Sequence, residues 1–266
     1  MSSILTNTGA LVALQTLKGI DKGMAKVQNE VSTGMKVATA KDNSSTWSIA
    51  STMRSDIGSF RKLSESLTSA SAAVGVARSA AEQISDILKQ VQEKIVQALE
   101  PGADTAKIQA DVTALTSTIV SIAQSAQYNG INLVNAAAAS VNVAGSIVRA
   151  GGALSVQNIA TGAANLEALG AALVVGTATP DNIDTLMDTA NAAAATFGAA
   201  QARIEAQNAF LLKQADALKM GVGAMVDADM EEASARLQAL QVQQQLGIQA
   251  LSIANQAPQN VLALFR

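Results

Sequence analysis

The sequence predicts a mainly α protein: a long antiparallel helical-bundle or coiled-coil rod with a small β-hairpin region in the middle of the chain. Three observations predict it. Hydrophobic residues make up 49% of the 266 residues while aromatics make up 2%, so the apolar share is carried by Ala, Leu, Val and Ile. Small aliphatic side chains suit closely approaching helices better than an aromatic-lined pocket. Only 3 Pro interrupt the chain. And apolar residues recur at steps of three and four over most of its length, which is the signature of one helical face.

The first segment carries this stripe at Ile4, Leu11, Leu14, Leu17, Ile20, Met24, Val27, Val31 and Met35. Ser32-Thr33-Gly34 breaks it, and Asp42, Asn43 and Ser44 supply the short polar side chains that cap a new helix. The next stripe is the clearest: Leu67, Ala70, Val74, Ala77, Ala81, Ile84, Leu88, Val91, Ile95 and Ala98, extended upstream by Ile49, Met53, Ile57, Phe60 and Leu63. Alternating steps of three and four kept this long define a coiled-coil seam. At 1.5 Å per residue the helix from Ser44 to Leu99 is about 80 Å long. Glu100-Pro101-Gly102 ends it and Asp104-Thr105 starts another, with a seam at Ile108, Val112, Leu115, Ile119, Ile122 and Ala126.

The period then changes. Tyr128-Asn129-Gly130 is a turn signal. The β-branched patches Val141-Asn142-Val143 and Ile147-Val148, spaced by Gly145 and Gly151-Gly152, predict one or two hairpins. The stretch Gly162 to Gly176 is Ala- and Gly-rich and takes no clear period. Helix resumes at Thr179-Pro180-Asp181, with a seam at Ile183, Leu186, Ala190, Ala193, Phe197, Ala200, Ile204, Leu211, Ala215 and Leu218. Gly221 and Gly223 are expected to interrupt it. A last helix carries Val226, Met230, Ala233, Leu237, Leu240, Ile248 and Leu251 and is expected to end near Pro258.

Long amphipathic helices cannot leave their seams in water, so the chain is expected to fold back at its middle with its halves antiparallel. The expected organisation is an inner terminal coiled-coil domain of residues 1–42 with 224–266, joined at Gly34, Asp42, Gly221 and Gly223 to a rod domain of 43–223 whose β region lies at about 131–178. A terminal pair of this kind has too little core to be firm alone. It is expected to gain order by packing against copies of itself through Ile4, Leu11, Leu14, Leu17, Met24, Val27, Val31, Met230, Leu237, Leu240, Ile248, Leu251, Leu262 and Phe265.

The composition argues against other classes. His is 0 and Cys is 0, which removes imidazole bases, Ser-His-Asp triads, thiolate nucleophiles, disulfides and His- or Cys-ligated zinc. No catalytic or cofactor-binding constellation stands out, and an enzyme is not expected. A net charge of -3 is too balanced for binding nucleic acid or an anionic membrane by bulk charge. No apolar run approaches a membrane span and no secretory signal precedes Gly23. Asp227, Asp229, Glu231 and Glu232 are the one dense acidic cluster, read as first-turn acids favoured by the helix dipole in preference to a metal site. Lys18, Lys22 and Lys26 read as a solvated or ion-paired stripe.

Several of these residues resemble the bacterial flagellin family. They are Ser3-Ile4-Leu5-Thr6-Asn7 with Ala13-Leu14 and Leu17; Ser32-Thr33-Gly34 followed by Ala40-Lys41-Asp42; Tyr128-Asn129-Gly130 with Leu133; and, most specifically, the tail. The tail comprises Val226-Asp227-Ala228-Asp229-Met230, Gln249-Ala250-Leu251, Ala254-Asn255-Gln256-Ala257-Pro258-Gln259 and Val261-Leu262-Ala263-Leu264-Phe265-Arg266. The compact length and the closing Leu-Phe-Arg resemble an alphaproteobacterial type. The resemblance implies a filament subunit that is secreted unfolded through the flagellar type III apparatus into the extracellular flagellum. It implies terminal helices lining the filament channel, an export chaperone on the C-terminal helix, and hook-filament junction and cap proteins as partners. A hook-filament junction protein and a secreted coiled-coil adhesin are the alternatives. The segment Leu88 to Ile95 resembles the stretch read by the vertebrate flagellin receptor of the Toll-like class, which in receptor-active relatives has Arg where Gln90 stands and Leu where Lys94 stands. Weak receptor activation is therefore expected, and potent signalling in a reporter-cell assay would contradict it.

Overall fold

The computed structural model describes residues 7–150, 153–170 and 173–263, with side chains described for all of these except 150, 153, 154 and 257–263. Among the described residues the fold is mainly α. Its long helices are α1 (Thr8–Thr33), α2 (Ser44–Ala98), α3 (Thr105–Ser125), α4 (Pro180–Val226) and α5 (Met230–Ala263). Two small antiparallel hairpins follow α3: β1 (Gln127–Tyr128) with β2 (Ile131–Asn132), and β3 (Asn142–Ala150) with β4 (Ala153–Ala160). A 3-10 turn, Glu167–Gly170, precedes α4. The chain packs as two compact units, Met1–Ser55 with Ala217–Arg266, and Asp56–Asp216.

In the second unit the α2 seam is the core. Phe60, Leu63, Leu67, Val74, Ala77, Ala81, Ile84, Leu88, Val91 and Ile95 are all buried, as the spacing predicts. Full burial of one such Leu or Ile contributes about 1.5–3 kcal/mol. The partner stripe on α4, from Ile183 through Ala190, Phe197 and Ile204 to Leu211, is buried too. Polar contacts fix the register. Ser64 donates to Asn208 Oδ1 at 2.5 Å, Ser85 to Asn191 Oδ1 at 2.7 Å, and Gln92 Nε2 to Asp184 at 2.6 Å, so rising numbers on α2 meet falling numbers on α4. The two helices are antiparallel. α3 joins them at one end, where Val91, Ile95, Ile108, Val112 and Ile183 form a shared cluster. Its start is capped as the sequence predicts, with Asp104 accepting from the Lys107 backbone N–H at 3.2 Å.

The Tyr128-Asn129-Gly130 turn is a tight hairpin. Asn129 and Gly130 both have positive φ, 51° and 80°, the combination a type I′ turn demands. The longer hairpin carries an irregularity between Ala144 and Ser146. Gly145 stands there because a Cβ would lie 2.6 Å from Ile159 Cγ1, and Ile159 is buried. The hairpin is tied down at both ends. Thr161 Oγ1 bonds the backbone of Val141 at 3.2 Å, and the Arg149 guanidinium pairs with Asp56 of α2. The aperiodic stretch after it is held by its backbone: Ala164 N–H donates to Leu133 O at 2.9 Å and Leu166 N–H to Val134 O at 2.8 Å.

Two helix ends differ from expectation. Gly221 and Gly223 do not interrupt α4, which continues to Val226. Glycine lowers helix propensity by about 1 kcal/mol, too little to break a helix whose Val222 and Val226 are buried. α5 likewise continues past Pro258 to Ala263. Proline removes a single N–H from the ladder, and the carbonyl four residues earlier finds another donor, described below.

Gly145→Ala is expected to lower stability by about 1–3 kcal/mol through its clash with Ile159. Gly58→Ala, in exposed space on α2, is expected to raise it by about 0.5–1 kcal/mol. Thermal unfolding of the two variants checks the pair: opposite signs are expected.

Candidate self-assembly face

The terminal unit is built on α1 and α5. Leu17 and Ile20 sit beside Gly247, Gly23 sits beside Leu240, and Gln244 Nε2 donates to Asp21 Oδ1 at 2.8 Å, an antiparallel register. At the end of the pair Asn7 acts twice. Its Oδ1 accepts from the Ala10 N–H at 3.0 Å, capping α1. Its Nδ2 donates to Ala254 O at 2.7 Å. Ala254 is the residue four before Pro258, so its carbonyl is the one that proline's missing N–H leaves open. Asn7 thus completes the C-terminal helix from the other strand of the pair.

Both terminal helices connect to α2 and α4 through breaks that are joined to each other. Gly34 ends α1 in the left-handed region at φ 68°, which favours glycine. Lys36 N–H then donates to Val226 O at 2.7 Å, and Ala228 N–H donates to Gly34 O at 2.9 Å. Met35 and Asp227 form an isolated antiparallel bridge. Asp42 accepts from the Thr39 N–H at 2.9 Å and the Thr39 hydroxyl at 3.0 Å, and these hold its carboxyl below the ordinary carboxylate range. Asn43 Oδ1 caps α2 by accepting from the Thr46 N–H at 3.1 Å. Asp229 Oδ1 caps α5 through the Glu231 and Glu232 N–H groups, and Glu232 pairs with Arg236.

The α1–α5 pair leaves much of its apolar surface uncovered. Of the predicted interface residues, Val27 is buried at 3% exposure. Leu17, Met24, Val31, Leu237, Leu240 and Leu251 are half-buried, while Leu11, Leu14, Met230 and Ile248 are exposed. Ile4 and Phe265, and the side chain of Leu262, lie outside the described residues. Val12, Val242, Leu246 and Ile253 are exposed as well, the last at 69%. Sequence reasoning missed these four because they fall off the three-and-four stripe. The available signal was the surplus itself: more large apolar residues than one stripe between two helices can use. Surplus of this kind makes the pair a candidate protein-interaction surface.

The comparisons with known proteins agree with this geometry. The bacterial flagellin N-terminal helical region matches residues 4–139, and the flagellin C-terminal helical region matches residues 181–265. A flagellin of Brucella melitensis is 39% identical, with both chains covered in full. Flagellin C of Rhizobium meliloti is 37% identical, again with both covered in full. Flagellin FljM of Caulobacter vibrioides is 33% identical over all of this chain and 99% of its own. A crystal structure of Bacillus cereus flagellin aligns with a TM-score of 0.33 at 17% identity, over 60% of this chain and 88% of that one, and the assignment stands on the sequence matches alone.

The family matches define a self-polymerising structural subunit, of a family that is structural and not enzymatic. The chain belongs to the bacterial flagellin family, and its polymer is the extracellular flagellar filament. The junction-protein and adhesin alternatives are not favoured.

Asn7→Ala is expected to cost about 1–2 kcal/mol in the terminal unit, through loss of the α1 cap and the Ala254 bond. In a Pro258→Ala background the cost is expected to shrink, because residue 258 then supplies its own N–H to Ala254. A double-mutant cycle read by hydrogen exchange checks this. Equal costs in both backgrounds would show that Asn7 does not stand in for the proline.

Proposed function

We propose that α1 and α5 form the innermost, channel-lining layer of the filament and that residues 43–223 form the layer around it. The observation that carries this reading is the exposure of Leu11, Leu14, Ile248 and their neighbours on a pair whose α1 buries Val27 alone among its described residues. About 25 cal/mol for each Å² of apolar surface then favours cover by neighbouring copies. Heterologous contacts of this kind generate a helix and not a closed ring when the rotation does not close. The interface is formed by Leu11, Leu14, Leu17, Met24, Val27, Val31, Met230, Leu237, Leu240, Ile248 and Leu251, continued by Ile4, Leu262 and Phe265. Gly34 and Asp42 serve the joint between the layers, whereas Gly221 and Gly223 lie within the unbroken α4.

Before assembly the same surface needs protection. An export chaperone on the C-terminal helix supplies it, and the chain is secreted through the flagellar type III apparatus. The hook-filament junction and cap proteins meet the same face at the two ends of the polymer, since the first and last copies expose it.

Removal of residues 1–40 or of residues 224–266 is expected to leave a folded, soluble chain that forms no filaments. Sedimentation and electron microscopy check this, and polymerisation of either trimmed chain would refute the assignment. In dilute monomer, hydrogen exchange is expected to be fast in α1 and α5 and slow in α2 and α4.

A further inference from the structure

The charge of the chain is unevenly placed. Residues 1–55 and 217–266 carry nine Lys and Arg against seven Asp and Glu, whereas residues 56–216 carry nine against fourteen. The surplus on each side is concentrated in one place.

On the terminal unit it lines a cleft of about 900 Å³ bounded by Lys22, Lys26, Lys36, Lys41, Glu30 and Asp42. Both of its carboxylates are engaged within the unit. Asp42 is held by Thr39, and Glu30 stands 3.9 Å from Lys26 with its side chain 13% exposed. Lys22, Lys36 and Lys41 are exposed and make no ion pair among the described residues. On the other unit the surplus lies where the end of α2 meets the start of α4. The three lysines there are already matched, Lys89 with Asp86, Lys94 with Asp111 and Lys107 with Asp104. Glu93, Glu100, Asp181, Asp184 and Asp188 are exposed and make no ion pair among the described residues. Asp181, Asp184 and Asp188 recur at steps of three and four, on one face of α4.

We propose that the Lys22–Lys26–Lys36–Lys41 cleft of one copy receives the acidic α2–α4 end of a second copy, as a charge-complementary contact of the filament. A homopolymer needs two different surfaces that recognise each other, and these two are opposite in sign, exposed and unmatched. Close packing would otherwise bring each set against surfaces that leave it unneutralised, so the contact also fixes which neighbour is accepted. The exposed apolar residues of α1 and α5 supply cohesion, and the charges supply register and rate of encounter. This inference rests on the self-polymerisation described above.

The test uses the full chain and two triple variants. One carries Lys22→Glu, Lys36→Glu and Lys41→Glu; the other carries Glu93→Lys, Glu100→Lys and Asp188→Lys. None of these six side chains makes a hydrogen bond or ion pair among the described residues, and circular dichroism of the monomers establishes that each variant is folded. Each alone is expected to form filaments at least tenfold more slowly than the unaltered chain at low ionic strength, with the gap narrowing as salt screens the repulsion. An equimolar mixture of the two is expected to polymerise again, because each cleft then meets an end of opposite sign on a different molecule. Wild-type rates for either variant alone, or a folded mixture that stays monomeric, would overturn the proposal. Failure of the unaltered chain to polymerise would instead strike at the filament reading itself.

Discussion

The apolar stripe of α2 sets the conditions for everything else. From Phe60 to Ile95 it presents a continuous row that water must be kept from. One helix cannot do that for itself. α4 covers it along its length in the antiparallel sense, and α3 covers one end. Because the row is built of Leu, Ile, Val and Ala with few aromatics, the helices approach closely and the fit is decided by many small contacts. The polar pairs Ser85–Asn191 and Gln92–Asp184 add little energy and do something else: they select one register among several that an Ala-rich seam tolerates.

The terminal pair obeys the same physics with a different outcome. α1 and α5 also carry apolar stripes, but two helices cover too little of each other's surface. What is left over is a demand for neighbours. Incomplete burial of this pair is the property on which the proposed inner-layer contact rests. The price is exposed apolar surface on the single molecule.

The helical part of the fold was legible because period and length were both strong. Most buried residues of α2 and α4 sit on the predicted step of three and four; Ala50, Ala80, Ser85 and Val222 do not, and Ile49 at the upstream end of the stripe is exposed. The caps at Asp104 and Asn43 and the turn at Asn129-Gly130 were legible for local reasons, since those side chains and that φ requirement act within four residues. Helix ends were less so. Gly221, Gly223 and Pro258 look like breakers, and tertiary packing overrides the first two while a side chain from the far end of the chain, Asn7, compensates the third. No local rule connects residues 7 and 254. The stretch from Gly162 to Gly170 stayed opaque because backbone bonds and isolated side-chain contacts, such as those of Glu167 with Gln124 and the Ala136 N–H, hold it, and none of these recurs at a fixed step. The exposed apolar surface of α1 and α5 was legible as a stripe and not as an area: Val12, Val242, Leu246 and Ile253 lie to either side of the seam.

The breaks at Gly34–Val37 and Val226–Ala228 are tied to each other. Their link consists of peptide groups, with Val226 O accepting from both Lys36 and Val37 and Gly34 O accepting from Ala228. Apart from Gly34, whose left-handed φ favours glycine, the link asks only for peptide N–H and C=O groups, so drift in the other side chains at these sites leaves it intact. Neither strand can twist at its break without dragging the other. When such a subunit sits in a spinning fibre, torque entering through one strand is carried by both, and the crossing behaves as a shaft coupling and not as a pair of loose tethers.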